Sequence, residues 1–510
     1  MLDVTPFLRG YAALRYIELG SMDAEHVQER LLKRLIRRAQ DTRFGQEHHF
    51  SEIDTVEKFQ KCIPLRTYED FYREYWQNQF PKLNNCTWPD LIPYFALTSG
   101  TTSGKSKYIP VSKDLIYSNW KAAQDILAHH IANNPMSNIL GGKCLFLGGS
   151  TPFKEEAPGI FSGDMSGIEV RELPYWQDPW VFPHRDVALI PDWEKKINLI
   201  AETVLKEDIR SISGAPNWLL LFFDKLITLN PTYKRLVDFF PNLELIIHGA
   251  INFSPYYDSF KSLLAGSHAE TRELYAASEG SIAVADKSSS EGLRLILDGG
   301  LFYEFVPLNE LSSKNPSRYW IANVTTDVEY AIVLTTCSGL WSYILGDTIR
   351  FINLKPHRLF ITGRTHYRLS VVGEHLIAEE IAQAVGVGAH AIGASVTDYC
   401  VGSSHTIGLK TEMRHQYLIE FSKKIPNEAD LKKFGSCLDK TLRSLNDDYA
   451  QQREHDFGLK EPEIIAVKPG TFSCWMKMKG KLGGQHKVPR IINDNEEFLK
   501  LREFGEKMPL

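Results

Sequence analysis

Residues 97–107 are the part of the sequence best suited to binding an anion. They read LTSGTTSGKSK, a run of hydroxyl side chains, glycines and lysines. Glycines let successive backbone N–H groups converge on an anion, while hydroxyls and lysines add donors and charge. The run fails the P-loop pattern, because three residues separate Gly100 from Gly104 where G-x-x-x-x-G-K-[ST] requires four. The predicted binding residues are Thr98, Ser99, Gly100, Thr101, Thr102 and Lys105.

Two further motifs place carboxylates close to aromatic side chains. In YAASEG, residues 275–280, an aromatic face can stack on a purine and the carboxylate of Glu279 can hold Mg²⁺. In YILGDTIR, residues 343–350, Asp347 follows a glycine and can accept hydrogen bonds from two ribose hydroxyls. Acidic residues at strand ends are also common as turn and cap residues. The predicted residues of these motifs are Tyr275, Ser278, Glu279, Tyr343 and Asp347.

The elements around these motifs must position them. Residues 92–97 are expected to form a buried strand, and Ser112 is expected to cap a helix that follows the anion loop. Residues 151–167 are rich in Gly and Pro and lack periodicity, which predicts a long lid or binding loop. The stretches 293–297 and 301–306 flank Asp298-Gly-Gly and are expected to pair as a hairpin.

The alternation of helices and strands predicts the domain organisation. From about residue 90 to residue 365 it favours an α/β fold with mixed sheets. After Arg364 the pattern changes to shorter α+β units. We expect a large N-terminal domain, residues 1–367, and a smaller C-terminal cap domain, residues 368–510.

Four stretches occur in the order and spacing of a known superfamily. TSGTTSGKSKYIPV, YAASEG, YILGDTIRF and TGRTHYRLSVVGEHL resemble the acyl-adenylate-forming enzymes that include firefly luciferase. More narrowly, AQDTRFGQEHHF, IPLRTYEDF, LNDDY, VKPGTFSCWM and GGQHKVPR resemble the plant auxin-responsive acyl acid–amido synthetases and their bacterial relatives. The resemblance covers nearly the whole chain.

The resemblance implies a role for each motif. The loop at 98–105 would hold the ATP phosphates, Tyr275 would stack on or border the adenine, and Glu279 would face Mg²⁺. Asp347 would bind the ribose, with Arg364 just beyond it near a hinge. Lys487 matches the tail lysine of the family. The resemblance also implies a luciferase-like adenylating fold in which the cap domain rotates over the site between steps.

The sequence departs from the family at two places. His375 stands where the family usually has a lysine, and an ordinary histidine is mostly neutral at pH 7. Lys487 is the candidate to compensate; otherwise adenylation is weaker. Relatives often read GLYRYR where residues 339–344 read GLWSYI, so two arginines are absent. Lys105, Lys107, Arg364 and Lys487 are expected to gather around the triphosphate.

Composition limits the partners. The chain has 510 residues, 58 Lys+Arg and 63 Asp+Glu, a net charge of −5, which gives no footprint for binding nucleic acid. The longest apolar run is too short for a membrane span. Seven scattered cysteines without a C-x-x-C pair predict a reducing compartment. We expect a cytoplasmic enzyme, with export by a signal-less route left open. The oligomeric state is also left open, with a monomer as one option.

These observations together predict an ATP-dependent ligase. It would adenylate a small carboxylic acid with release of pyrophosphate, then transfer the acyl group to an amino acid with release of AMP. Three alternatives stay open: a ligase that forms coenzyme A thioesters, a non-catalytic nucleotide-binding regulator, and a P-loop NTPase, which the missing loop residue disfavours.

Overall fold

The structure is a computed structural model that describes most of the chain. The described residues are 2–98, 107–149, 153–250, 253, 256–287, 291–365, 368–369, 376–405, 413–422, 425–453, 459–479, 488–492 and 494–508.

Most longer helices begin at a side chain that caps them. Ser112, Asp164 and Asn427 each accept a hydrogen bond from a backbone N–H of the first turn. The α-helices are α1 Thr5–Ser21, α2 Ala24–Ala39, α3 Arg43–Glu47, α4 Val56–Cys62, α5 Tyr68–Phe71, α6 Lys113–Asn133, α7 Met165–Glu172, α8 Arg185–Ala188, α9 Trp193–Thr203, α10 Pro216–Leu229, α11 Leu236–Phe239, α12 Tyr257–Leu263, α13 Ala378–Ala391, α14 Glu428–Leu445, α15 Asp447–Gln452, α16 Thr471–Met478 and α17 Asn495–Lys507.

Within the described residues, the strands assemble into four sheets. They are β1 Tyr94–Thr98, β2 Lys107–Val111, β3 Lys143–Leu147, β4 Lys154–Ala157, β5 Ile160–Gly163, β6 Val181–Phe182, β7 Ile209–Gly214, β8 Leu245–Gly249, β9 Glu270–Ala277, β10 Gly280–Val284, β11 Leu293–Leu295, β12 Leu301–Pro307, β13 Tyr319–Trp320, β14 Glu329–Thr336, β15 Tyr343–Leu354, β16 His357–Arg364, β17 Arg368–Leu369, β18 Leu376–Ile377, β19 Val396–His405, β20 Met413–Phe421, β21 Glu463–Val467 and β22 Ile491–Ile492.

A twelve-stranded sheet dominates the N-terminal part, in the order β13-β12-β14-β15-β16-β11-β10-β9-β8-β7-β3-β6. The strands from β6 to β9 pair in parallel, and those from β9 to β13 pair antiparallel. The parallel half is the βαβ arrangement that binds ligands at the carboxyl ends of its strands. A smaller sheet, β2-β1-β5-β4, carries the strands on either side of the predicted anion loop.

Separate apolar cores hold the two parts of the chain. One large core combines the N-terminal helices with the antiparallel strands and includes Tyr275 and Tyr343. In the C-terminal part, β21-β20-β19-β22 form a sheet whose core is shared with α13 and α14. The predicted fold class is confirmed: a large α/β unit precedes a smaller α+β unit. The boundary at residues 367 and 368 stays a prediction.

Two expectations about local structure are wrong. The expected long loop at 151–167 contains a hairpin, because β4 and β5 pair antiparallel around Pro158 and Gly159. Gly159 has φ +77°, which lets the chain reverse direction there. The strands on either side are too short to give a periodic pattern in the sequence. Asp164 then caps α7.

Residues 293–297 and 301–306, which are all described, do not form the expected hairpin around Asp298. β11 pairs with β10 and β16, whereas β12 pairs with β13 and β14. The Asp298 carboxylate instead accepts bonds from Arg15 and Lys121, at 2.9 and 2.5 Å in its closest contacts with them. Distant ion pairs and the sheet order therefore override the local turn signal.

None of the described helices has the length and apolarity needed to cross a membrane.

Candidate functional site

The predicted anion loop connects two paired strands. β1 and β2 run antiparallel, with Thr98 opposite Lys107 as the last pair before the loop. Ser99, Gly100, Thr101, Thr102 and Lys105 lie outside the described residues. Lys107 has its Nζ 3.7 Å from the Glu69 carboxylate and 5.3 Å from the centre of the Tyr68 ring. The structure thus places the base of the loop and one of its lysines.

Glu279 lies in a tight turn yet is buried. Ala277 pairs with Gly280, so Ser278 and Glu279 form the two-residue turn between β9 and β10. Both are buried, with 8% and 6% of their surfaces exposed. Burial raises the pKa of the Glu279 carboxyl, and the nearby Asp347 charge adds to the rise. A buried turn carboxylate is costly for stability, which points to a functional use.

A bulge in β15 directs Asp347 into the same region. Ile344 pairs with Val333 and Thr348 with Ala331, so three residues of β15 face one residue of β14. Gly346 lies within this bulge at φ +91°. Thr365 donates its backbone N–H to the Gly346 carbonyl at 2.9 Å. Bulges of this kind are frequent beside active sites, because they redirect a side chain.

Asp347 connects Tyr275 to Arg364. The Tyr275 hydroxyl donates to Asp347 Oδ2 at 2.8 Å, and Arg364 Nε lies 2.7 Å from Asp347 Oδ1. Asp347 and Arg364 are register partners on β15 and β16. Burial raises the pKa of Tyr275, so its hydroxyl stays protonated and donates. The Tyr275 ring is 5% exposed, and its predicted contact with adenine stays a prediction.

Tyr343 and Glu279 form a second tyrosine–carboxylate pair. Burial raises the pKa of Tyr343, and the charge of the nearby Glu279 carboxylate adds to the rise. The positive charge of Arg364 opposes the pKa rises of Tyr275, Glu279 and Tyr343. One guanidinium therefore acts electrostatically on both pairs.

The segment after residue 65 links this cluster to the anion loop. Arg66 exchanges backbone hydrogen bonds with the residues on either side of Tyr343, at 3.0 Å to Ser342 and 2.9 Å to Ile344. Glu69, three residues later, contacts Lys107 and contributes to the raised pKa of Tyr343. The loop base and the carboxylate cluster are thus neighbours.

Sequence reasoning missed two residues that support the cluster. Asn119 of α6 accepts from the backbone N–H of Ser281 at 3.0 Å and donates to Glu169 at 3.0 Å, which braces the Glu279 turn. Arg318 donates to the Ser342 hydroxyl at 2.7 Å and pairs with Glu304 at 2.6 Å. A guanidinium therefore reaches the GLWSYI segment from elsewhere in the chain. No pattern in the sequence marks either residue as part of the site.

Two further predicted site residues cannot be placed. His375 and Lys487 lie outside the described residues. Within the described ranges, no group of three or more His, Cys, Asp and Glu side chains could form a metal centre by itself. A cation at Glu279 would therefore need ligands from a substrate, water or other parts of the chain.

Three family models match the chain in order. They are the GH3 family N-terminal domain at residues 13–185, the central domain at 294–364 and the C-terminal domain at 379–496. The central match ends at Arg364 and contains Tyr343 and Asp347.

Curated relatives match over nearly their whole length. A jasmonoyl–L-amino acid synthetase, JAR4 of Nicotiana attenuata, is 24% identical over 554 residues, covering 93% of this chain and 92% of the relative. The indole-3-acetic acid-amido synthetase GH3.3 of Arabidopsis thaliana is 22% identical over 572 residues, covering 96% and 93%.

Solved structures share the fold. The GH3.15 acyl acid amido synthetase superposes with a TM-score of 0.80 at 17% identity, covering 98% of this chain and 96% of that one. A 2-hydroxyisobutyryl-CoA ligase in its postadenylation state gives 0.61 at 14% identity, covering 96% and 94%.

Proposed function

Because this chain belongs to the GH3 family, we propose that it is an ATP-dependent ligase that joins a small carboxylic acid to the amine of an amino acid. The observation that carries the proposal is the junction of Tyr275, Asp347 and Arg364, with Glu279 beside it. It gathers two carboxylates and a guanidinium next to the base of a hydroxyl- and lysine-rich loop. One relative named above is a jasmonoyl–L-amino acid synthetase and another is an indole-3-acetic acid-amido synthetase, which supports the reaction class.

The first step activates the acid. An oxygen of the acyl carboxylate attacks the α-phosphorus of ATP, the bond from that phosphorus to the β-phosphate oxygen breaks, and pyrophosphate leaves. The loop at 98–105 would hold the phosphates and Asp347 would accept hydrogen bonds from the ribose hydroxyls. Rate enhancement then comes from positioning and charge neutralisation rather than from a covalent enzyme intermediate.

The second step forms the amide. The unprotonated amine attacks the acyl carbonyl carbon, the bond to the AMP oxygen breaks, and the amine gives up one proton as AMP leaves. The amine must be neutral for this attack, and water must be excluded because acyl-adenylates hydrolyse.

The chemistry of Glu279 fits Mg²⁺. The carboxylate is buried, carries a raised pKa and lies close enough to Asp347 for the two charges to interact. A divalent cation would relieve both the burial and the like-charge cost. Mg²⁺ prefers carboxylate oxygens together with substrate phosphates, and when bound it would neutralise triphosphate charge.

The C-terminal residues complete the proposal. Lys487 would add a cation during adenylation, with His375 in the place of the family lysine. Residues 368–510 would move as a unit over residues 1–367 between the steps.

All seven cysteines are free thiols, which fits the cytoplasm.

Acid-dependent exchange between ATP and labelled pyrophosphate tests the first step. A panel of small aromatic and aliphatic acids should contain at least one that supports exchange well above the acid-free rate. Mass spectrometry of the same acids with amino acids or with coenzyme A then identifies the acceptor. Amide products support the ligase, and thioester products would favour the coenzyme A alternative. ATP binding without exchange for any acid would favour a nucleotide-binding regulator.

A further inference from the structure

The first helix, α1, presents an apolar face to solvent. Its inner side, which packs on α6, carries the buried residues Thr5, Leu8, Ala12 and Arg15. Its outer side is formed by exposed residues without charge: Pro6, Phe7, Gly10, Ala13, Leu14 and Ile17. The three largest of these, Phe7, Leu14 and Ile17, are between 71% and 80% exposed. Because apolar helix faces are normally buried, this outer face is expected to have a partner.

Ion pairs fix α1 on the body of the protein, so the outer face is held in a defined orientation. Arg15 donates to both carboxylate oxygens of Asp125, at 2.8 and 2.7 Å, and lies 2.9 Å from Asp298. The Arg9 guanidinium donates to the Ser137 carbonyl at 2.7 Å. Bidentate contacts between arginine and carboxylate restrict geometry as well as adding energy. The face is therefore a rigid surface rather than a loosely attached segment.

A single row of residues runs along the middle of this face. Residues three, four and seven positions apart share one side of a helix, and the row consists of Phe7, Gly10, Leu14 and Ile17. A methyl group added at Gly10 would meet no atom within 4 Å beyond its own turn of the helix. The row therefore has three large side chains and one hollow.

The row is complementary to a second copy of itself. In an antiparallel pair of α1 helices, related by a two-fold axis at the level of Ala12, Leu14 of each copy lies over the Gly10 hollow of the other. Phe7 of each copy then packs against Ile17 of the other. Two-fold pairs, in which both copies use the same surface, are the commonest arrangement of soluble homo-oligomers.

The area of the face suits a weak dimer. With its exposed apolar side chains the face would bury roughly 500 Å² per copy. A total of about 1,000 Å² lies at the lower end of specific interfaces between proteins. We therefore expect a weak, reversible association rather than an obligate dimer.

A second copy fits this face better than a membrane surface does. Helices that lie on membranes carry lysines and arginines along their polar flanks. The two arginines of α1 are turned towards the body of the protein, and its most exposed charged side chain is Glu18, at 61%. A carboxylate repels anionic lipids, whereas an uncharged face meets an identical face without repulsion.

We propose that α1 forms the contact of a two-fold homodimer, in which Leu14 of each copy fills the Gly10 hollow of the other. The dimer goes beyond the ligase reaction and does not depend on it.

Gly10→Leu tests the hollow. Leucine is a better helix former than glycine and has open space at this position, so the melting temperature should be at least that of the wild type. The new side chain occupies the hollow and excludes Leu14 of the second copy. We expect the Kd of self-association, measured by sedimentation velocity over a concentration series of the full chain, to rise at least about tenfold.

Leu14→Glu places a carboxylate in the same hollow from the other side and should leave the protein monomeric at concentrations where the wild type associates. Met478→Glu is the matched control, because it adds the same charge at an apolar side chain that is 62% exposed on α16. It should associate as the wild type does. Melting temperatures of all variants show that each one is folded.

Three results would overturn the dimer. The wild type could remain monomeric up to its solubility limit, or Gly10→Leu could associate as strongly as the wild type. The third result is tighter binding by Gly10→Leu, which enlarges the apolar face. Tighter self-association would indicate non-specific apolar contact, and tighter binding to vesicles of phosphatidylcholine and phosphatidylglycerol would assign the face to a membrane.

Discussion

Tyr275 donates a hydrogen bond of 2.8 Å to Asp347, although 72 residues separate them in the sequence. The bond crosses from β9 to β15, and Arg364 on β16 binds the other carboxylate oxygen at 2.7 Å. Asp347 is therefore fixed from two sides before any ligand arrives. Such pre-organisation reduces the entropy that substrate binding must overcome.

Tyr275→Phe tests this fixation. Loss of a hydrogen bond to a charged group costs about 1.5–3 kcal/mol, which corresponds to a rise of at least about tenfold in the KM for ATP. The steady-state rate of ATP–pyrophosphate exchange at varied ATP concentrations gives this KM. Asp347→Asn should have a larger effect, because it also removes the charge paired with Arg364. An unchanged KM for ATP in both variants would show that Asp347 does not contact the nucleotide.

Glu279→Gln tests the cation site. The amide keeps the size of the side chain but removes the negative charge, so we expect the Mg²⁺ concentration for half-maximal exchange to rise at least about tenfold. Exchange titrated with Mg²⁺ at fixed ATP is the measurement. Tyr343→Phe is the comparison variant, because it removes the neighbouring hydroxyl and keeps the carboxylate. The Mg²⁺ concentration for half-maximal exchange should change less in Tyr343→Phe than in Glu279→Gln. A larger change in Tyr343→Phe would assign the effect to the tyrosine rather than to the carboxylate.

Gly346→Ala tests the bulge that directs Asp347. The added methyl group meets only Thr365 Oγ1 at 3.9 Å, so the cost comes from φ +91° rather than from a clash. We expect a loss of about 1–2 kcal/mol in the free energy of unfolding. Exchange should fall at least about tenfold, since small displacements of positioning groups are costly.

Gly159→Ala separates strain from function. Gly159 has φ +77° and open space around its Cα, but it lies in the exposed β4–β5 hairpin. Gly159→Ala should lower the free energy of unfolding, measured with denaturant, by about as much as Gly346→Ala does. Its rate of ATP–pyrophosphate exchange should equal that of the wild type. If both variants keep full exchange, the bulge does not position a catalytic group.

Glu169→Gln tests a partly buried carboxyl near the Glu279 turn. Burial raises the pKa of Glu169 to about 7, against the hydrogen bond from Asn119. The unfolded chain therefore releases this proton from about pH 4.5 upward while the folded chain keeps it to about pH 7. Across that window the carboxyl lowers stability as pH rises.

We expect Glu169→Gln to raise the free energy of unfolding at high pH but not at low pH. At pH 8 the glutamine variant should be more stable than wild type by about 1–2 kcal/mol in the free energy of unfolding, and at pH 4.5 nearly equal. Denaturant unfolding at the two pH values measures it. Glu57→Gln, which changes an exposed carboxylate on α4, should show no such difference. A variant that gains nothing at pH 8 would contradict the raised pKa.

The residue types of the site could be predicted from sequence, but their contacts could not. Glu279 and Asp347 stand out because acids beside glycines and aromatics form short motifs. The Tyr275–Asp347 hydrogen bond and the closeness of Tyr343 to Glu279 depend on the sheet order and on a bulge, and neither leaves a periodic signal. Asn119 and Arg318 support the site from distant elements. Asn119 bonds to Ser281, 162 residues away, and Arg318 bonds to Ser342, 24 residues away on another element, so local patterns do not reveal them.

Fold class was predictable for a related reason. Helix and strand alternation is local, so the α/β unit and the α+β unit both follow from it. The hairpin expected around Asp298 was wrong because Arg15 and Lys121 bind that carboxylate and β12 pairs with β14. The local turn motif was compatible with a hairpin, but pairing with strands distant in the sequence determined where β11 and β12 lie.

Very short strands form both edges of the twelve-stranded sheet. β13 and β6, which close the two edges, are each two residues long. A strand this short exposes few unpaired backbone groups, so another chain finds little to pair with. Short edges of this kind lower the tendency of a large, mostly apolar sheet to aggregate.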